Sequence, residues 1–141
     1  MTKTSTKFTY ADIQNILDAV LANSTYAQQN PPISQNPPQP HLVFWRQTGN
    51  YANDYNLFTT GPVPNVGLPI MNTAPGQELQ SNFYVILTNP NGLQQQGIPQ
   101  MPDGGPYITD AGYSITVGGN NMSGQQIINA LQSWLTNGFP Q

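Results

Sequence analysis

The sequence predicts a mainly α domain with a long proline-rich loop and a short β hairpin. Two capped amphipathic segments carry this reading, one near residues 10–22 and one beginning at Ser123. Between them, "STYAQQNPPISQNPPQP" places five prolines among amides and serines. Proline fixes its own backbone and restricts the residue before it, so this stretch (residues 25–40) reads as an extended surface loop.

In "KFTYADIQNILDAVLANS", Thr9 can cap a helix while Asp12, three residues on, reaches back as in a capping box. Phe8 and Ile13 can pack as a hydrophobic staple. Ile13, Ile16, Leu17, Val20 and Leu21 then share one helical face, with Gln14, Asn15, Asp18 and Asn23 opposite. Asp18 is expected to be solvated.

The aromatic-rich stretch "HLVFWRQTGNYANDYNLF" must feed the core. Its Tyr51, Tyr55 and Phe58 are spaced for a helix. "SNFYVILT" is ambiguous: its propensity favours a strand, while Ser81 is a good N-cap. Loose alternation at Tyr113, Ile115 and Val117, bounded by glycines, suggests a short hairpin or extended arm. In "NMSGQQIINALQSWLTNGFPQ", Ser123 caps a helix, Gln126 completes a box, and Met122 and Ile127 can staple. Ile127, Leu131, Trp134 and Leu135 form its apolar face, and Gly138 stops it.

The totals bound the rest. A chain of 141 residues suits a single domain, residues 1–141, with a real core. Only 6% of residues are charged, against about 25% in a typical domain. Polarity comes instead from 16 Asn and 16 Gln. The net charge is -3, and only Lys3, Lys7 and Arg46 are positive. Without a basic footprint to neutralise phosphates, nucleic acid is excluded as a partner. No stretch approaches the roughly 20 apolar residues of a membrane span, and no leader peptide is read, so the expected location is cytoplasmic. A surface with so little charge has little repulsion to keep copies apart, which favours a protein partner or a homo-oligomer.

The order of motifs resembles cytochrome c-type domains, especially the planctomycete form. The residues that carry it are Phe8, Asp12, Ile13, Ile16 and Leu17; Gly76 and Ser81; Met101, Pro102, Gly105 and Pro106; and Ser123, Trp134, Leu135, Gly138 and Pro140. The resemblance implies that the first and last helices pack together and that "SNFYVILT" is helical. It implies that Met101 stands where the family's distal haem ligand stands. One departure decides the mechanism. Where the family has C-x-x-C-H, this protein reads "VLANS", and it contains no cysteine at all. Covalent haem is therefore excluded. Phe44, Trp45, Tyr51 and Phe58 are expected to fill the vacated space, since an open cavity costs tens of cal/mol per Å³.

The chemistry left open is narrow. His41 and Met101 offer one nitrogen and one thioether donor for copper(I), too few for a typical site. Met101 otherwise reads as a flexible core filler. His41 could activate a serine (Ser34, Ser81, Ser114 or Ser123), but there is no G-x-S-x-G stretch, and Ser81 and Ser123 read as caps. Asp54 with Glu78, or Asp103 with Asp110, could form an acid–base pair, yet their spacing does not favour one. "MPDGGP" has no lysine beside its glycines and reads as a tight turn. No cofactor is expected.

The resemblance thus implies a non-catalytic accessory or interaction subunit, associated with an oxidoreductase as its haem-bearing relatives are. Two alternatives stand beside it. One is a small-molecule or copper-binding protein, or an enzyme, that reuses the haem cleft, with Met101, His41, Trp45, Tyr51 and Phe44 along it. The other is a self-assembling structural protein.

Overall fold

Thr9 and Asp12 start the first helix as their spacing dictates. The Thr9 backbone N–H donates to the Asp12 carboxylate at 2.9 Å, and helix α1 runs Tyr10–Ala22. In this computed structural model, residues 8–25, 44–63, 67–93, 96–102 and 104–141 are described. The proline-rich loop and His41 lie outside the described residues, apart from Thr25 at the loop's edge.

Helix α2 spans Tyr51–Thr60, capped by the Asn50 side chain accepting from the Asn53 N–H at 3.0 Å. A 3-10 turn at Glu78–Gln80 leads into α3, Asn82–Thr88. The segment with strand propensity is thus a helix of two turns, because its Phe83, Tyr84 and Leu87 all bury on one side. Ser81 sits at the N-cap position of α3, but its hydroxyl serves a different end. It donates to the Glu78 carbonyl at 2.7 Å and accepts from the Asn72 N–H at 2.9 Å. The serine ties the 3-10 turn to the preceding segment and does not cap the helix with its side chain.

Strands β1 (Ser114–Val117) and β2 (Asn120–Ser123) form an antiparallel hairpin with Ile115 opposite Met122. Gly118 and Gly119 close it with φ of 56° and 84°, the left-handed pair that a two-residue hairpin turn requires. Helix α4, Gly124–Thr136, follows at once. Ser123 caps it by accepting from the Gln126 N–H, and the Gln126 side chain accepts from the Ser123 N–H.

The end of α4 is a clasp that keeps the outer bond of a Schellman motif. Gly138 takes φ of 88°, and the Phe139 N–H returns to the Trp134 carbonyl at 2.8 Å. The Trp134 and Phe139 rings meet at 6.1 Å, the apolar contact that accompanies such caps. The described residues therefore form a mainly α architecture of four α-helices and one small hairpin. One apolar core joins Ile13, Ile16 and Leu17 of α1 to Ile127, Leu131, Trp134 and Leu135 of α4.

Candidate functional site

The interior between the helices is a layer of aromatic rings. Trp134 of α4 is fully buried and meets Tyr10 of α1 at 6.2 Å, Phe58 of α2 at 5.9 Å and Phe83 of α3 at 6.3 Å. Phe58 meets Phe83 edge-on at 4.8 Å. Tyr10 in turn touches Tyr51, Tyr55 and Phe58 at 5.3–5.6 Å. Tilted and edge-to-face pairs of this kind add about 0.5–1.5 kcal/mol each beyond the area they bury. Every helix contributes at least one ring, so this layer is where the fold is held together.

Phe44 and Trp45 join that layer from the loop before α2. Phe44 is half-buried; it meets Trp45 edge-on at 5.0 Å and stacks on Phe58 at 6.0 Å. Trp45 is buried, and its polar edge is fully used. Its indole N–H donates to Asp18 Oδ1 at 2.7 Å. Its carbonyl accepts from the Tyr10 hydroxyl at 2.7 Å and from Gln14 Nε2 at 2.9 Å. Asp18, on the polar face of α1, stays partly exposed but is more than a solvated residue. It anchors Trp45 and also pairs with Arg46 at 2.7 Å.

Tyr51 departs from the expected filling role. It is 38% exposed, and its hydroxyl accepts from the Ala11 N–H at 3.1 Å, helping to satisfy the first turn of α1. It forms the rim of the ring layer, while Tyr10 and Trp134 fill its centre. Tyr10 stands three residues before Ile13 and so lies on the apolar face of α1. That spacing is the signal that marks it as a core residue. Burial, with the nearby Asp54 carboxylate second, raises the Tyr10 phenol well above its ordinary value.

Met101 belongs to another part of the molecule. It is half-buried against the core, and its N–H donates to the Ile86 carbonyl of α3 at 2.9 Å. Gln100 beside it is buried and donates to the Leu87 carbonyl at 3.0 Å and to Thr109 Oγ1 at 2.8 Å. The loop then turns through a Gly105 N–H to Pro102 carbonyl bond of 2.8 Å. The Gly105 carbonyl accepts from the Thr25 N–H at 2.9 Å. The methionine loop thus bridges the end of α3 to the segment after α1. "MPDGGP" is a turn, apart from Asp103, which lies outside the described residues.

The carboxylates are occupied locally. Asp54 is buried, and its Oδ1 accepts from the Thr48 N–H at 2.7 Å and from the Thr48 hydroxyl at 2.8 Å. Glu78 accepts from the Gly76 N–H at 3.3 Å, and Asp110 from the Tyr107 N–H at 2.9 Å. Each stabilises a turn of its own segment, and the structure gives no support to an Asp54–Glu78 pair. Among the described residues no three His, Cys, Asp or Glu side chains come together to hold a metal. An open groove of about 530 Å³ runs along Pro69, Met71, Asn72, Thr73, Ala74, Gln80 and Asn82. Its lining carries amides and one hydroxyl but no charge.

A covalently held haem does not fit these residues. Asn23, Ser24 and Thr25 follow α1 with no thiol and no imidazole, and the Ser24 hydroxyl is engaged by the Leu21 carbonyl. Trp134, Phe58, Phe83 and Tyr10 occupy the space between the helices. Comparison with protein-family models, curated proteins and solved structures gives no match.

Proposed function

We propose that this protein is a haem-less, cytochrome c-like domain that works by binding another protein, as an accessory subunit, and not by catalysis. The aromatic layer carries the reading. Rings from α1, α2, α3 and α4 meet around Trp134, so the interior is built to be filled by the protein's own side chains. The Tyr10–Trp134 contact joins the first helix to the last, as the cytochrome c resemblance implies. The Met101 loop is held by backbone bonds to Ile86 and Thr25, which suits a structural element retained after ligand duty has ended. The surface supports the binding role: with 3 basic and 6 acidic residues in 141, its polarity is amide-based and hydrogen-bonding. The partner proposed is an oxidoreductase subunit.

The test joins two measurements on the protein from its native source. Affinity isolation should bring an oxidoreductase subunit along at a fixed ratio that survives moderate salt, since little of the contact is ionic. Adding haemin to the purified protein should produce no Soret band. A protein that isolates alone as a monomer and takes up haemin would end this reading.

A further inference from the structure

The sequence has two Asn-Gly bonds, Asn91–Gly92 and Asn137–Gly138, with the same local chemistry. In each, the following glycine has no side chain to shield its amide. The structure treats them very differently. The Gly92 N–H donates to the Asn89 carbonyl at 2.7 Å. Gly92 is buried, and a Cβ placed there would run into the backbone of Ile98, Pro99 and Gln100. The amide nitrogen of Gly92 is thus tied down and walled in. Gly138 is exposed, has open space around it and makes no backbone hydrogen bond through its N–H among the described residues. Asn137 is exposed as well, its amide donating to Ser133 Oγ at 3.1 Å.

We propose that Asn137–Gly138 is a site of spontaneous, non-enzymatic backbone modification, and that Asn91–Gly92 is protected by the fold. The Gly138 nitrogen, losing its proton to base, attacks Cγ of Asn137. A new bond forms between that nitrogen and Cγ, the bond from Cγ to the Asn137 amide nitrogen breaks, and ammonia leaves. The product is a five-membered succinimide. Water then opens the ring at either carbonyl. Opening at Cγ gives aspartate. Opening at the backbone carbonyl gives isoaspartate, with the backbone routed through the former side chain. The net change is one water taken up and one ammonia released, with no oxidation or reduction.

The consequence falls on the clasp at the end of α4. Either product puts a carboxylate beside the last carbonyls of the helix, where the helix dipole disfavours negative charge. The isoaspartate form adds a backbone atom between Trp134 and Phe139. It breaks the geometry of the Phe139 N–H to Trp134 carbonyl bond and of the Tyr55 hydroxyl bond to the Phe139 carbonyl at 2.6 Å.

The experiment is a timed incubation of the intact protein at mildly alkaline pH, followed by peptide mapping with mass spectrometry that separates aspartate from isoaspartate. A parallel sample is kept in denaturant. In the folded protein Asn137 should convert about ten-fold faster than Asn91, the size expected from one engaged amide hydrogen bond plus burial. In denaturant the two should convert at similar rates. Asn137→Gln, whose longer side chain disfavours ring closure, should abolish the folded-state conversion at 137 and leave position 91 unchanged. Equal conversion at both sites in the folded protein, faster loss at Asn91, or no conversion at Asn137 while the denatured sample converts would each overturn the proposal.

Discussion

The Trp45 indole N–H donates to Asp18 Oδ1 at 2.7 Å, across 27 residues of sequence. This bond ties the loop before α2 to the outer face of α1, beside the hold of Tyr10 and Gln14 on the Trp45 carbonyl. Arg46 binds the same carboxylate through Nε at 3.0 Å, but both partners of that ion pair are about one-third exposed. An exposed pair of this kind is worth well under about 1 kcal/mol.

Asp18→Ala should therefore lower stability by about 1–2 kcal/mol, mostly through the unsatisfied indole. Arg46→Met should cost far less, and its effect should vanish in high salt. Urea denaturation of the two variants and of the double variant measures this. Equal losses for Asp18→Ala and Arg46→Met would show that the ion pair, not the indole bond, holds the loop.

Trp134→Ala should destabilise the fold by about 3–5 kcal/mol, the range for emptying a fully buried large aromatic site. Trp134→Phe should be milder. It keeps a ring among Tyr10, Phe58 and Phe83 but loses the indole bond to the Pro140 carbonyl at 2.8 Å. Thermal unfolding followed by circular dichroism orders the two.

Three tyrosines make the fold sensitive to alkali. Burial raises the phenol pKa of Tyr10, Tyr55 and Tyr113 above the ordinary value. The unfolded protein releases these protons at about pH 10, while the folded protein still holds them. The unfolded state then binds fewer protons, so stability is fully present below about pH 10 and falls as pH rises beyond it. Melting temperatures taken from neutrality into this range should decline, and Tyr10→Phe should flatten the decline. Tyr113 and Tyr10 part ways at neutral pH. The Tyr113 hydroxyl is buried with no hydrogen-bond partner among the described residues. Tyr113→Phe should leave stability unchanged or raise it by up to about 1 kcal/mol, whereas Tyr10→Phe should lower it by a similar amount.

Gly124→Ala reverses the usual helix rule. Alanine at a helical position is ordinarily favoured over glycine by about 1 kcal/mol. Here a Cβ would run into the Ile108 carbonyl, a backbone atom that cannot step aside. The substitution should destabilise by about 1–3 kcal/mol. A stabilised variant in a denaturant titration would mean that this contact gives way.

Much of the fold was legible in the sequence, because capping residues act over three or four positions. Thr9 with Asp12 and Ser123 with Gln126 set the starts of α1 and α4, and Gly138 set the stop. The hairpin followed from Ile115 between two glycine-bounded ends. The site was less legible, because its parts meet over long sequence separations. Asp18 lies on the polar face of its helix by periodicity, and only the arrival of Trp45 gives it a partner. Gln14 and Gln100 look like two more amides in an amide-rich sequence. Each is buried because a distant carbonyl, that of Trp45 or Leu87, needs a donor. Tyr51 and Tyr10 are both tyrosines near a helix start, yet one rims the ring layer and the other fills it. Its spacing from Ile13 marks Tyr10 as a core position, but the helical spacing of Tyr51 with Tyr55 and Phe58 gives no sign that Tyr51 stays at the rim.

Two hydrogen bonds converge on the Trp45 carbonyl. Tyr10 and Gln14 grip that loop by its backbone. Such a grip acts through the main chain and adds to the hold that the Trp45 indole makes on Asp18. Arg46, a partly exposed residue of this loop, can therefore change while its neighbours stay docked. The loop is riveted twice, once through a side group and once through the main chain.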